Sequence, residues 1–190
     1  MPVFRFEKAS RAAMAGVFAI GLLAGCSEAD PKAVPRLPER VCWGAFSSTE
    51  VAEFLPTGDK VTIRARPFVL ADNMDEVTCN VDVDGIERFT AHVAYQDFED
   101  LIEWGSWAGP DSRPIGVGKK GIVWPGGAGT YFVCEPSGSP SEPGKYIKLY
   151  IDTSKPPEKE EVQNTLPGLL QEFLTFAERE LKCPGASAKK

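Results

Sequence analysis

EVTCNVDVDGIERFTAHVAY, residues 76–95, contains two β-strand patterns separated by Asp84-Gly85. Apolar and polar residues alternate over 76–84 and again over 86–95, which is the period of a strand with one buried face. Asp-Gly supplies the residues that tolerate positive φ in a two-residue hairpin turn. The stretch therefore predicts two antiparallel neighbours in a sheet.

The same patterns extend along the rest of the chain. They predict strands at 61–66, 121–124, 130–135 and 145–153, and a loop at 107–118. A helix is predicted within 42–55 with its cap among 47–49, and a short helix at 97–104 with Leu101 and Ile102 inward. A last helix ends near Lys182, and Pro167 either begins it or kinks a longer one. This order predicts an α+β domain. One antiparallel sheet of five or six strands carries the N-terminal and C-terminal helices on one face and leaves the other face more open.

The N-terminus has the three parts of a secretory signal. Basic residues precede the apolar run 12–23, and small residues lie just before Cys26. Leu23-Ala24-Gly25-Cys26 resembles the signal box of bacterial lipoproteins, which implies cleavage before Cys26 and a diacylglyceryl thioether on its sulfur. A transmembrane helix is one alternative, but the run rises only about 18 Å against a hydrocarbon core of about 30 Å. The other alternative is an ordinary signal peptide in which the cysteine occurs by chance.

These features divide the chain into a signal peptide (1–25), a lipidated cysteine with a flexible tether (26–40), a folded domain (41–184) and a disordered tail (185–190). The tether is polar and proline-containing, and its reach is roughly 20 Å. Residues 1–25 hold three of the 21 basic and one of the 27 acidic residues, so the remainder carries a net charge of about −8. That charge argues against nucleic acid as a partner. The membrane is contacted through the lipid anchor.

Four cysteines follow the tether: Cys42, Cys79, Cys134 and Cys183. An even number in an exported domain favours two disulfides. Zinc is the competing use, but the chain has no Cys-x-x-Cys pair and its one histidine is not at zinc-ligand spacing. We predict the pairs Cys42–Cys79 and Cys134–Cys183, because one cysteine of each pair lies on an apolar strand face and the other flanks a predicted helix. No metal site and no catalytic thiol are predicted.

The folded part also carries short motifs in a recognisable order. Cys-Trp-Gly at 42–44 precedes the first helix, and a cysteine lies in the strand ahead of Val-Asp-Gly at 83–85. Gly-Ile-Val-Trp at 121–124, Tyr-Phe-Val-Cys at 131–134 and Leu-Lys-Cys at 181–183 follow. This order resembles exported actinobacterial lipoproteins of unassigned function. The resemblance implies an α/β sandwich and a role in the cell envelope, without catalytic residues to transfer.

Two regions are candidate binding surfaces. If the alternation holds, one sheet face opposite the helices carries a cationic and aromatic set: Arg64, Arg66, Arg88, His92, Tyr146, Lys148 and Tyr150. Such a face suits an acidic partner or envelope polymer, although mixed solvated faces are common in sheets. Trp104 and Trp107 lie in a loop-like stretch, where they either anchor a ligand or cap the core.

Catalytic signatures are weak in this chain. His92 is predicted to be solvated or paired at the surface, and the glycines at 126–129 to form a hairpin turn and not a nucleotide site. The chain has no Gly-x-Ser-x-Gly elbow. Carboxylates at Asp97, Glu99, Asp100 and Glu103 fit no calcium-loop spacing. No catalytic residue and no cofactor are predicted.

These observations favour a membrane-anchored envelope protein with a non-enzymatic binding role, for a protein partner or an envelope ligand. A carrier that holds a lipid or another apolar ligand between sheet and helices is the alternative. An envelope hydrolase is the third hypothesis.

Lipidation at Cys26 is directly testable. Cys26→Ala should release the chain from membranes or leave it as uncleaved precursor, because the acyl chains attach at this sulfur. Membrane fractionation and mass spectrometry of the mature N-terminus measure both effects. A wild-type N-terminus elsewhere, without lipid, contradicts the prediction.

Overall fold

A computed structural model of the chain describes residues 34–70, 75–104, 109–139, 141–154 and 159–183, with the side chains of the last helix described from residue 164 onward. The signal peptide, Cys26, Trp107 and the tail 185–190 lie outside these ranges.

Seven strands form one antiparallel sheet, so the α+β class is confirmed but the predicted count of five or six is wrong. The strands are β3 (Val61–Ala65), β4 (Glu76–Val83), β5 (Ile86–Gln96), β6 (Arg113–Ile115), β7 (Gly121–Trp124), β8 (Gly127–Glu135) and β9 (Lys145–Thr153). Their order is β3-β4-β5-β9-β8-β7-β6. Two short strands, β1 (Arg40–Val41) and β2 (Phe46–Ser47), form a separate hairpin.

Strand β6 lies in the predicted loop 107–118 and pairs with β7 at the edge of the sheet. It has only three residues, and its central one is Pro114. Proline cannot donate to a ladder and is typical of edge strands, so the sequence carries no alternation that predicts this element. Elsewhere the predictions are close: β4 and β5 pair through Asp84-Gly85, and β7 and β8 pair across Pro125-Gly126.

The predicted N-terminal helix is much shorter than the pattern suggested. Cys42, Trp43 and Gly44 have φ of 48°, 62° and 83°, a left-handed turn that cannot be helical and that joins β1 to β2. Helix α1 (Ser48–Ala52) has five residues and is capped by Ser47, one of the three predicted caps.

The predicted helix at 97–104 is also wrong. It is reduced to a 3-10 turn, Glu99–Leu101, whose Leu101 is 55% exposed and does not point inward.

Helix α2 (Lys159–Glu180) is the main cover of the sheet, and Pro167 lies inside it. Its apolar face is buried against the inner face of the sheet through Leu166, Leu169, Leu170, Phe173 and Ala177. Among the described helices, none is long and apolar enough to cross a bilayer.

A row of aromatic rings joins the N-terminal hairpin to the sheet and to α2. Phe46 lies 5.4 Å from Phe89 on β5 and 5.1 Å from Phe173 on α2, centroid to centroid. Trp43 stacks on Phe173 at 6.2 Å. All three phenylalanines are fully buried, so the short hairpin completes the core between sheet and helix.

Both predicted disulfides are present. Cys42–Cys79 joins the N-terminal hairpin to β4, with Cα atoms 5.4 Å apart. Cys134–Cys183 joins β8 to the end of α2, with Cα atoms 4.7 Å apart. Each bridge therefore fixes a segment outside the sheet to a strand within it.

Removing either bridge should destabilise the domain strongly. The bridges close loops of 37 and 49 residues, and chain entropy predicts a loss of roughly 4 kcal/mol for each. Urea unfolding of Cys42→Ala/Cys79→Ala and of Cys134→Ala/Cys183→Ala measures this free energy. The prediction fails if both double variants are as stable as the oxidised wild type.

Candidate functional site

The strand register places most of the predicted binding surface on one face of the sheet, the outer face, which is opposite α2. Arg64 pairs with Asn80, and His92 pairs with Thr78 and Tyr150. Lys148 and Tyr146 follow on the same face of β9. The structure therefore brings together five of the seven predicted residues: Arg64, His92, Tyr146, Lys148 and Tyr150.

Arg88 and Arg66, the other two residues of the predicted binding surface, are not part of this group. The register of β4 against β5 shifts at Val81/Asp82, so Glu87, and not Arg88, lies opposite Asp82. Arg66 follows the end of β3, where its backbone N–H donates to Thr78 at 3.4 Å. A bulge changes which residue occupies a face, and the alternation of the sequence does not reveal it.

Acidic partners balance the charge around Arg64. Its guanidinium donates two hydrogen bonds to Asp82, at 2.7 and 2.9 Å, and lies 3.8 Å from Glu87. The hydrogen bond to Asp82 raises the pKa of Arg64. Glu87 in turn accepts from Thr90 at 2.9 Å. Asp82 and Glu87 therefore balance part of the charge of the cationic patch that the sequence suggested, while the Arg64 side chain stays largely exposed.

The half of the outer face formed by β8 and β9 is covered by the chain itself. Residues 97–112 connect β5 to β6 at the far edge of the sheet, and we call their first described part, residues 97–104, the crossover segment. Glu99 on this segment accepts from the Tyr131 hydroxyl and from Lys119 at 3.4 Å. Lys148 donates to the backbone carbonyl of Glu103. The expectation that this face is left open is therefore wrong for this half.

His92 is buried, with 7% of its side chain exposed, and is not the solvated residue that was one of its two predicted states. The predicted pairing is present, because Nε2 lies 2.8 Å from a carboxylate oxygen of Glu76, but the predicted surface position is wrong. Its ring stacks on Tyr150 at 4.2 Å. Burial lowers the pKa of His92 more than Glu76 raises it, so the imidazole is neutral at pH 7. It therefore adds no charge to a docking surface.

Trp104, at the end of the crossover segment, packs against Lys148 on β9. The Lys148 ammonium lies 5.5 Å from the centre of the Trp104 ring and 5.8 Å from that of Tyr150. Burial lowers the pKa of Lys148. The Trp104 ring lies so close to Gly129 that a Cβ there would be 2.7 Å from it. Trp104 thus caps the sheet, the second of its two predicted roles.

Glycines in β8 make this packing possible. A Cβ on Gly127 would lie 2.6 Å from the Trp124 ring, just as one on Gly129 would meet Trp104. The hairpin turn itself is Pro125-Gly126, and the following glycines lie in β8, where Gly127 faces the ring of Trp124 from the paired strand and Gly129 faces Trp104. Sequence reasoning missed the contact of Gly129, because Trp104 comes from a distant segment.

The structure adds a cleft that the sequence did not predict. It lies between the N-terminal hairpin and α2, has a volume of about 690 Å³, and is lined by Arg40, Gly44, Ala45, Gln171, Glu172, Thr175, Phe176 and Arg179. Burial, and then the neighbouring carboxyl group of Glu50 on α1, raise the pKa of Glu172.

Comparisons with protein-family models, with curated proteins and with solved structures found no match to this chain.

Gly129→Ala tests the packing of Trp104. The added methyl should displace the ring and destabilise the protein by about 1–3 kcal/mol, because the close contact leaves no space for it. Limited proteolysis within 97–112 should become faster than in the wild type. Gly109→Ala is the matched control, since a Cβ there meets nothing within 4 Å. Equal behaviour of the two variants contradicts the prediction.

Proposed function

We propose that this chain is an exported lipoprotein of the cell envelope, anchored by lipid at Cys26 to the outer face of the cell membrane, with a non-enzymatic binding role. The box Leu23-Ala24-Gly25-Cys26 supports the anchor, and the short motifs shared with exported actinobacterial lipoproteins agree with it. The two disulfides support an oxidising compartment, since such bridges are rare in the cytosol.

The binding surface that we propose is the exposed arginine edge, which consists of Arg64 on the outer face of β3 and Arg66 just beyond the end of that strand. The observation that carries this proposal is that 58% of the Arg64 side chain stays exposed while Asp82 holds its guanidinium in one orientation. Arg66 is exposed beside it. A preorganised guanidinium binds carboxylate or phosphate groups with little loss of side-chain entropy. The partner is therefore an acidic protein or envelope polymer.

The carrier alternative has less support. The interface between sheet and α2 is filled by side chains such as Leu149, Leu170 and Phe173, which are fully buried. An apolar ligand would have to displace them.

One observation favours the hydrolase alternative, because the Glu50–Glu172 pair lies beside a cleft. Burial and the nearby Glu50 raise the pKa of Glu172, and glycosidases also use two carboxyl groups, which they hold about 5 Å or more apart to admit a substrate or a water. One oxygen of Glu50, Oε2, is also fully buried. We therefore retain the binding role.

The proposal is tested by capture from an envelope extract of the native cell. The full-length protein should retain an acidic partner, and Arg64→Gln/Arg66→Gln should weaken that capture because two exposed donors are lost. Rising salt should weaken capture by the wild type. Arg113→Gln, on the opposite edge strand β6, is the matched control. Undiminished capture by a folded double variant overturns the arginine edge as the binding surface.

A further inference from the structure

The single histidine of the chain, His92, is held in a closed environment on the outer face of the sheet. Its side chain is 7% exposed, and its ring stacks on Tyr150 at 4.2 Å. Nε2 lies 2.8 Å from a carboxylate oxygen of Glu76. Nδ1 is buried and has no hydrogen-bond partner among the described residues. One ring nitrogen is therefore satisfied and the other is not.

This geometry decides where a second proton on the ring would go. An ionised carboxylate only accepts hydrogen bonds, so the hydrogen of the neutral ring is assigned to Nε2, and Nδ1 keeps its lone pair. A second proton would enter at Nδ1 and become a buried N–H donor without an acceptor among the described residues. The packed structure therefore favours neutral His92 over the imidazolium.

The charged groups that face His92 from neighbouring strands act in opposite directions. Burial lowers the pKa of His92, Glu76 on β4 raises it, and Lys148 on β9 lowers it further. Burial outweighs the effect of Glu76. Tyr150 is uncharged at neutral pH, since burial raises its pKa to about 12. An imidazolium at this position is thus disfavoured by burial and repelled by the Lys148 ammonium.

Tyr150 and Lys148 connect His92 to the crossover segment. They lie two residues apart on the same face of β9. The Lys148 ammonium donates to the backbone carbonyl of Glu103 and lies 5.5 Å from the centre of the Trp104 ring. The Glu103 carboxylate also attracts this ammonium. The residues that hold the end of the crossover segment are therefore those that His92 packs against or would repel.

We propose that His92 is an acid-sensitive switch: its protonation breaks the packing against Tyr150 and releases the crossover segment from β9. Release uncovers Lys148 and Tyr150, two residues of the predicted cationic and aromatic surface. This inference is independent of the binding role proposed for the arginine edge.

Hydrogen exchange in the crossover segment measures the release. The amides of Leu101 and Ile102 donate to Phe98 and Glu99 at 3.3 and 3.1 Å, so they report on this segment directly. The full-length wild type should be compared with His92→Gln at each pH from about 7 to about 4, because glutamine does not titrate. The comparison at equal pH removes the intrinsic pH dependence of exchange.

The sign of the expected change follows from the lowered pKa of His92 in the packed state. The wild-type exchange rate divided by that of His92→Gln should rise as pH falls below about 6.5, the ordinary histidine pKa, by up to about tenfold for each pH unit. The ratio should level off at the pKa of the packed imidazole. NMR of the imidazole measures that pKa without ambiguity, because the chain has one histidine.

Glu76→Gln is a second variant that leaves His92 in place. The Glu76 side chain is 58% exposed, and its loss should lower the imidazole pKa by about one pH unit. The exchange rate of Glu76→Gln divided by that of the wild type should then rise by about tenfold as pH falls between the two imidazole pKa values. Glu135→Gln, at the end of β8, is the matched control and should leave both the ratio and the pKa unchanged.

Amides in the middle of α2, around the buried Phe173, serve as the internal reference for global unfolding. Their ratio should stay flat while that of the crossover segment rises. A flat ratio at Leu101 and Ile102 in both variants, or an equal rise in α2, overturns the switch.

Discussion

Phe46 is the side chain on which sheet, N-terminal hairpin and last helix depend together. It is fully buried and touches Phe89 on one side and Phe173 on the other. The two-residue strand that carries it would be unstable alone, since isolated short hairpins are marginal in water. Its stability comes from these rings and from the bridge Cys42–Cys79. The left-handed turn at Cys42 to Gly44 is tolerated because both of its ends are fixed in this way.

The crossover segment has the corresponding role on the outer face. A chain that leaves β5 and enters the sheet again at β6 must pass the intervening strands on one side, and α2 already covers the inner face. Glu99, Glu103 and Trp104 fix the segment to β8 and β9. The consequence is functional, because His92, Lys148 and Tyr150 lie in a packed region and only the β3 side of this face keeps exposed arginines.

Local signals predicted the local structure well. Alternation and Asp84-Gly85 identified β4 and β5, and the strand faces of Cys79 and Cys134 indicated both disulfides. Apart from the shortened helices at 42–55 and 97–104 and the missed strand β6, the failures involve contacts between distant segments. Asp82 neutralises Arg64 because two strands pair, and Trp104 covers Gly129 because the crossover returns over the sheet. The carboxyl pair of Glu50 and Glu172 is separated by most of the chain. Periodicity predicts on which face of a strand or helix a residue lies, whereas the residue that it contacts across the fold depends on how the elements are connected.

Burial lowers the pKa of His92 and raises that of Glu172. His92 has a folded-state pKa below its ordinary value, so the stability it contributes is lost as pH falls from about 6.5 toward that pKa. Glu172 has a raised pKa, so its stability is lost as pH rises from about 4.5 through that pKa. The two sites therefore contribute opposite signs to the pH dependence of stability, and a substitution at either one separates its proton linkage from that of the other.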